Sequence, residues 1–131
     1  MLFTKVMTAD EAVAMIRDRD AIAVCGCENL LLPDRVLRAL EERFLSTGRP
    51  RHLTEYHAVI YGMGPGLGLE HLAHDGLVAR SIGSGFSYLK TSCMSQMLRD
   101  GKIEAYVAPM GTVYQIFQNV AAGHKYTLTQ V

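Results

Sequence analysis

The stretch Tyr61-Gly62-Met63-Gly64-Pro65-Gly66-Leu67-Gly68 places four glycines within seven positions, directly after the strand-like run Leu53 to Tyr61. A backbone so free of side chains turns sharply and admits a close neighbour. Leu69-Glu70-His71-Leu72 is suited to start a helix, so the glycines read as a loop at the carboxyl end of a strand. Open α/β sheets bind ligands at that edge. As a nucleotide motif the stretch is weak, because Gly64-x-Gly66-x-Gly68 lacks the final spacing of a dinucleotide fingerprint.

Working outward toward the amino terminus, Thr8-Ala9-Asp10-Glu11 has the form of a capping box, in which hydroxyl and carboxylate satisfy free amides of a first helical turn. Ala9, Ala12, Val13 and Ile16 then share one helical face. Arg17-Asp18-Arg19-Asp20 is a solvated turn, and Ala21 to Cys25 is a short apolar run of the kind that forms strands buried on both faces. Gly26 ends that run. Pro33 sits where a helix begins, with Val36, Leu37, Leu40 and Phe44 as its inward stripe, and Thr47-Gly48-Arg49-Pro50 stops it.

Toward the carboxyl terminus, Leu77 to Ile82 reads as a strand ended by Gly83-Ser84-Gly85. Leu89, Cys93, Met97 and Leu98 mark a helix face, Asp100-Gly101 a stop, and Ile103 to Ala108 a further strand. Pro109-Met110-Gly111 reads as the next loop. Val113, Ile116, Phe117 and Val120 define a last helix closed by Gly123, and Tyr126 to Val131 has strand character. Strands and helices alternate through about five strands, which predicts an α/β fold: an open, mostly parallel sheet with helices on both faces. Gly26, Gly62, Gly83-Ser84-Gly85 and Gly111 each follow a strand, so four small-residue loops are expected to meet along one carboxyl edge.

At 131 residues the chain forms one domain, with roughly two thirds of its unfolded surface buried. Thirteen acidic residues balance thirteen Lys and Arg, which gives no reason to expect a nucleic-acid or membrane-surface partner. No apolar run approaches the ~20 residues of a bilayer span. With three cysteines and no signal-peptide pattern, the expected compartment is a reducing one, the cytoplasm.

Other chemical groupings favour structural readings. Cys25-Gly26-Cys27 lacks the second pair or histidine cluster of a metal site, so small residues at a strand end are expected there, and no metal site is assigned. In Glu70-His71-Leu72-Ala73-His74 the histidines are three apart and the Glu precedes both, unlike a metalloprotease helix, so a helix-packing or surface role is expected. Neither Ser84 nor Ser87 comes with a base to make it a nucleophile. Cys93-Met94-Ser95-Gln96-Met97 reads as core filling. No catalytic residue is assigned.

Several segments, in order, resemble the amino-terminal part of the family I CoA-transferases, particularly the single-chain propionate and acetate CoA-transferase type. They are Thr8 to Ala12 with Ile16, Ile22 to Gly26 followed by Pro33, Glu42 to Pro50, Gly66 to Leu77, and Lys102 to Tyr106 with Gly111 and Phe117. The resemblance covers nearly the whole chain and implies residues 1–131 as a single partial domain of an open α/β half. In that family two similar halves face each other across the active site, and CoA passes from an acyl-CoA to a free carboxylate through a glutamyl-CoA thioester.

The resemblance implies coenzyme A as substrate with no permanently bound cofactor, acyl-CoA and small carboxylic acids as ligands, and a missing second half or subunit that carries the glutamate. A homo-oligomer is also expected, because a truncated sheet edge seeks partners. On this reading Gly26, Asn29, Gly62, Gly85, Met110 and Gly111 line the substrate wall. Amides of Gly26 and Gly111, each expected just ahead of a helix, are placed to donate to a carboxylate or thioester oxygen. The site departs from the family at Val59-Ile60-Tyr61, where a glycine, a serine and a glutamine are usual. It departs again at Gly85-Phe86 for a histidine and an aromatic, at Met110 for a glutamine, at Gln118 for an arginine, and at Asn29 for a glycine. A noncatalytic ligand-binding or assembly module on the same fold is the alternative expectation.

Overall fold

A computed structural model describes residues 6–62, 64–86 and 91–130. The expectations placed on Ser87, Leu89 and Val131 lie outside the described residues.

The chain opens with α1 (Ala9–Ala14), started by the capping box: Thr8 Oγ1 accepts from the Glu11 amide at 3.2 Å, and Glu11 Oε2 accepts from the Thr8 amide at 2.8 Å. Strand β1 (Ala21–Val24) follows, then α2 (Asp34–Thr47), which Gly48 ends at φ 70° in the left-handed region. Arg43 on α2 donates to the carbonyls of Val13 and Ile16, the latter at 2.9 Å, and so satisfies the exposed carboxyl end of α1. Next come β2 (Leu53–His57), a short 3-10 helix (Gly68–Leu72), β3 (Val78–Gly83), α3 (Cys93–Arg99), β4 (Glu104–Val107) and α4 (Met110–Ala121).

The four strands pair in parallel in chain order, β1-β2-β3-β4, so every carboxyl end lies on one edge. Leu53, Glu55 and His57 alternate inward along β2, and the core joins Leu37, Leu40 and Phe44 of α2 to Leu53, Leu69, Leu72, Leu77 and Met94. On the opposite face Ile116, Phe117, Val120 and Ala121 of α4 share an apolar concavity of about 320 Å³ with Ala21, Ala23 and Tyr56. The expected α/β architecture, with helices on both faces of a parallel sheet, is observed.

Several local expectations are corrected. β1 is an edge strand with Ala21 and Ala23 exposed, because α4 leaves that face partly uncovered; only Val24 is buried. β2 ends at His57 instead of Tyr61, since the backbone beyond it leaves β3 and bridges instead to Glu28. Met110 and Gly111 are not loop residues but the first turn of α4. Cys93 is exposed rather than inward, being the first residue of α3, whereas Met94 and Met97 are buried. Residues 126–130 form no strand: Tyr126 and Leu128 are exposed, and Thr127 Oγ1 instead accepts from Asn119 Nδ2 at 2.9 Å. A strand requires a neighbouring strand to pair with, and among the described residues the sheet ends at β4 without this segment.

Candidate active site

The parallel order sets the segments after β1, β2, β3 and β4 side by side, and with them all six sequence-predicted positions. Gly26 packs against Tyr61, whose Cβ would lie 3.3 Å from a Cβ at Gly26. The Glu28 amide donates to the Ile60 carbonyl at 2.8 Å, and the Gly62 amide donates back to the Glu28 carbonyl at 2.6 Å. Gly26, Asn29 and Gly62 therefore belong to one laced unit. The Gly85 carbonyl is tied to β2 by a 2.7 Å contact with His57 Nε2. The far strand is joined through the Ala108 amide, which donates to the Gly83 carbonyl at 3.0 Å.

Three strand spacings, roughly 14 Å, separate the ends of β1 and β4. Gly111 is the second residue of the twelve-residue α4, whose cap residue Pro109 supplies no side-chain acceptor. Its amide is thus among those with no carbonyl one turn back, at the positive end of the helix. Gly26 differs from the expectation, because α2 begins only at Asp34, and the intervening backbone turns through Cys27 and Leu30, which exchange hydrogen bonds of 3.1 and 2.8 Å.

The glycine stretch has a structural cause. A Cβ on Gly62 would lie 2.4 Å from the Leu67 carbonyl oxygen and 2.6 Å from the Gly68 Cα, and both glycines have positive φ. The loop crosses back over itself at this point, which only glycine permits.

Beneath the edge lies a polar cluster that the sequence reading missed. Glu55, His57 and Tyr61 are fully buried and Ser81 nearly so. His57 Nδ1 lies 3.0 and 3.1 Å from the two Glu55 oxygens, Tyr61 Oη donates to Glu55 Oε1 at 3.1 Å, and Ser81 Oγ donates to Oε2 at 2.5 Å. Burial works to lower the His57 pKa, but the hydrogen bond and charge of Glu55, with the Gly85 carbonyl, outweigh it and raise it above the ordinary histidine value. Burial, followed by the Glu55 charge, pushes the Tyr61 hydroxyl well up, so it remains a donor. Tyr61 thus belongs to the interior rather than to the crevice surface. The available signal was a carboxylate and an imidazole two residues apart on a buried strand face.

The segment Glu70-His71-Leu72-Ala73-His74 anchors its surroundings. Glu70 accepts from Ser92 Oγ at 2.5 Å and the Cys93 amide at 2.7 Å, which caps α3. Glu41 of α2 bridges His71 Nδ1 and His74 Nε2, both at 2.6 Å, and Asp34 Oδ1 accepts the Gly68 amide at 2.9 Å. His71 Nε2 lies 3.2 Å from the same Asp34 oxygen, but out of hydrogen-bond alignment. Among the described residues, no three His, Cys, Asp or Glu side chains are grouped to hold a metal ion, and no helix is long and apolar enough to cross a membrane.

No family model matches the chain. It is 28% identical over 131 residues to a caffeate CoA-transferase of Acetobacterium woodii, covering 97% of this chain and 24% of that protein. The acyl-CoA transferase YdiF of Escherichia coli O157:H7, as apoenzyme, superposes with a TM-score of 0.81 at 28% identity over 91% of this chain and 23% of its own. A thioester complex of YdiF with CoA gives the same TM-score at 27% identity, over 90% of this chain and 24% of its own. A variant of the decarboxylase AibA/AibB shares the fold alone, at a TM-score of 0.62 and 17% identity over 90% of this chain and 44% of its own. The chain is thus similar to CoA-transferases over nearly its whole length, while spanning about a quarter of the length of the transferases it matches.

Proposed function

We propose that this chain is the amino-terminal segment of an acyl-CoA:carboxylate CoA-transferase-like protein, forming one wall of the acyl and CoA crevice. The observation that carries the reading is the likeness to YdiF, one of whose structures is a thioester complex with CoA. Gly26, Asn29, Gly62, Gly85, Met110 and Gly111, on the edge where parallel sheets receive ligands, support it. The amide of Gly111, at the start of α4, is the best-placed donor for a carboxylate or thioester oxygen.

The covalent glutamate comes from a second half or subunit, and coenzyme A enters as substrate, with no other cofactor bound permanently. Unpaired edges at β1 and β4 among the described residues favour association with that half or with another copy. Full-length protein incubated with an acyl-CoA and an acceptor acid is expected to form a hydroxylamine-sensitive enzyme thioester. Its absence at every acyl length tried overturns the transferase reading.

A second reading, a noncatalytic binding or assembly module, is favoured by one observation: the Gly62 amide and the Gly85 carbonyl are already engaged inside the protein. Titrating the 131-residue chain with CoA and short acids separates the two. A module binds one of them unaided, whereas a severed half-site binds weakly or not at all.

A further inference from the structure

His57 is held from every direction the described residues provide. Glu55 of β2 faces Nδ1, the Gly85 carbonyl faces Nε2, and the rings of Tyr61 and Phe86 stand edge-on at 5.6 and 5.3 Å. Gly83 of β3 lies so close that a Cβ there would be 1.9 Å from Nε2. Glu55 is the charged group acting on the ring, and the hydroxyls of Tyr61 and Ser81 both donate to Glu55.

Proton bookkeeping follows from the acceptors. A carbonyl oxygen only accepts, so Nε2 carries a hydrogen and donates it to Gly85. Nδ1 faces a carboxyl group, so one further proton is shared by the pair, either on Nδ1 beside an ionised Glu55 or on Glu55 with Nδ1 accepting. The pair is neutral in both cases. When the pair loses a proton, the single hydrogen left on the ring is drawn to Nδ1 by the Glu55 carboxylate, so Nε2 is left with a lone pair facing the Gly85 carbonyl and no longer holds it. The Gly85 carbonyl also sets its neighbour, because in a planar trans peptide the Phe86 N–H points opposite to the Gly85 C=O. With the carbonyl turned inward to His57, the Phe86 amide is directed away from the core.

We propose that His57 is a positioning residue: by holding the Gly85 carbonyl it aims the Phe86 amide outward as a donor to an acyl-CoA thioester or carboxylate oxygen, and the hold persists only while the His57–Glu55 pair keeps its shared proton. What the amide receives rests on the transferase reading; the hold on the loop does not. Neither Phe86 nor His57 belongs to the six wall positions, and the donor is a backbone group that no side-chain pattern would reveal.

The test is an NMR titration of the unsubstituted chain, with histidine ring nitrogens, glycine carbonyls and backbone amides labelled, repeated with coenzyme A as the probe. The Gly85 carbonyl and Phe86 amide signals are expected to shift with the His57 ring nitrogens at one midpoint, above the ordinary histidine value. In the full-length protein, CoA affinity is expected to fall roughly tenfold through the same midpoint, the scale of one lost hydrogen bond. His57→Gln, which donates without titrating, keeps both signals at their low-pH positions at every pH. His57→Phe, which retains a ring against Tyr61 and Phe86, sends them to their high-pH positions. Gly85 and Phe86 signals that stay flat through the His57 titration overturn the proposal, and this outcome needs no variant to fold. Signals that titrate together while the full-length protein binds CoA at no pH sustain the hold and overturn the crevice reading instead.

Discussion

Ser81 Oγ donates to Glu55 Oε2 at 2.5 Å, and the two residues are paired in register on β3 and β2, so the hydroxyl and the carboxylate meet across one strand spacing with no water between them. Glu55 also receives Tyr61 and faces His57, so one carboxylate satisfies three buried groups. Glu55→Ala removes the acceptor from all of them and leaves a buried imidazole without its counter-charge. The expected loss is about 3–5 kcal/mol in urea unfolding at neutral pH, the range for breaking a buried pair. Glu55→Gln, which keeps an acceptor oxygen, is expected to lose less. Equal and small losses for both variants would show that the cluster is solvated.

The same cluster sets a pH dependence. Because the folded-state pKa of His57 lies above its ordinary value, protonation contributes stability that is fully present below that value and is lost as pH rises through the folded pKa. Unfolding free energy should therefore decline as pH increases from about 6.5 upward. His57→Gln should lack this decline, and the difference between the two curves isolates the histidine from other titrating groups.

Gly83 is required by the closeness of the imidazole rather than by its own backbone, since a Cβ would fall 1.9 Å from His57 Nε2 and 2.2 Å from Cε1. Gly83→Ala must displace the ring, at a cost of about 1–3 kcal/mol typical of overpacking. In His57→Ala the space is vacated. The double variant should therefore be more stable than the sum of the single losses predicts, by at least about 0.5 kcal/mol in a double-mutant cycle. Additive losses would mean that Gly83 and His57 do not contact one another.

The glycine loop gives a contrast within one motif. Gly62→Ala drives a methyl into the Leu67 carbonyl and the Gly68 Cα, in a backbone held at φ 73°. Gly66 has φ 69° but nothing within 4 Å of a Cβ, so Gly66→Ala should cost only the left-handed backbone penalty of about 1–2 kcal/mol. Gly62→Ala should cost clearly more and release the Gly62 amide, seen as faster hydrogen exchange at that position. Matching losses would show that the crossing is not tight.

How much of this was legible in the sequence differs between elements for physical reasons. The capping box, the inward stripe of α2 and the Gly48 stop are local signals, and each is realised by a local hydrogen bond or φ angle. Strand ends were less legible, because where β2 stops depends on whether β3 or the Glu28 backbone offers the better partner. Apolar composition overstated the burial of β1, since its two alanines face a concavity that α4 leaves partly open. The six positions proposed for the wall follow strand ends on one edge, which strand order alone determines. The Glu55–His57 pair was signalled by its spacing on one strand face, but Ser81 joins it only through the register of β2 with β3, and Tyr61 only where the backbone turns back beyond His57. Tyr61 was read only as a departure from the family pattern, because its place in the chain says nothing of the interior bond to Glu55.

Glu41 offers the last prediction, at the acid end. Burial pulls its pKa upward, but hydrogen bonds and charge from His74 and His71 outweigh this and hold it below the ordinary value of 4.5. A depressed carboxylate contributes stability present above its unfolded value and lost as pH falls through the folded one. The chain should therefore weaken below about pH 4 in part through this group, and Glu41→Gln should be less stable at neutral pH yet converge with the unsubstituted protein in acid. Because Glu41 ties α2 to the His71–His74 segment beside the Asp34–Gly68 bond, its loss should also speed hydrogen exchange at the Gly68 amide. A Glu41→Gln curve that stays parallel to the unsubstituted one down to acid pH would remove the ionic part of this account and leave only a neutral hydrogen bond between helix and loop.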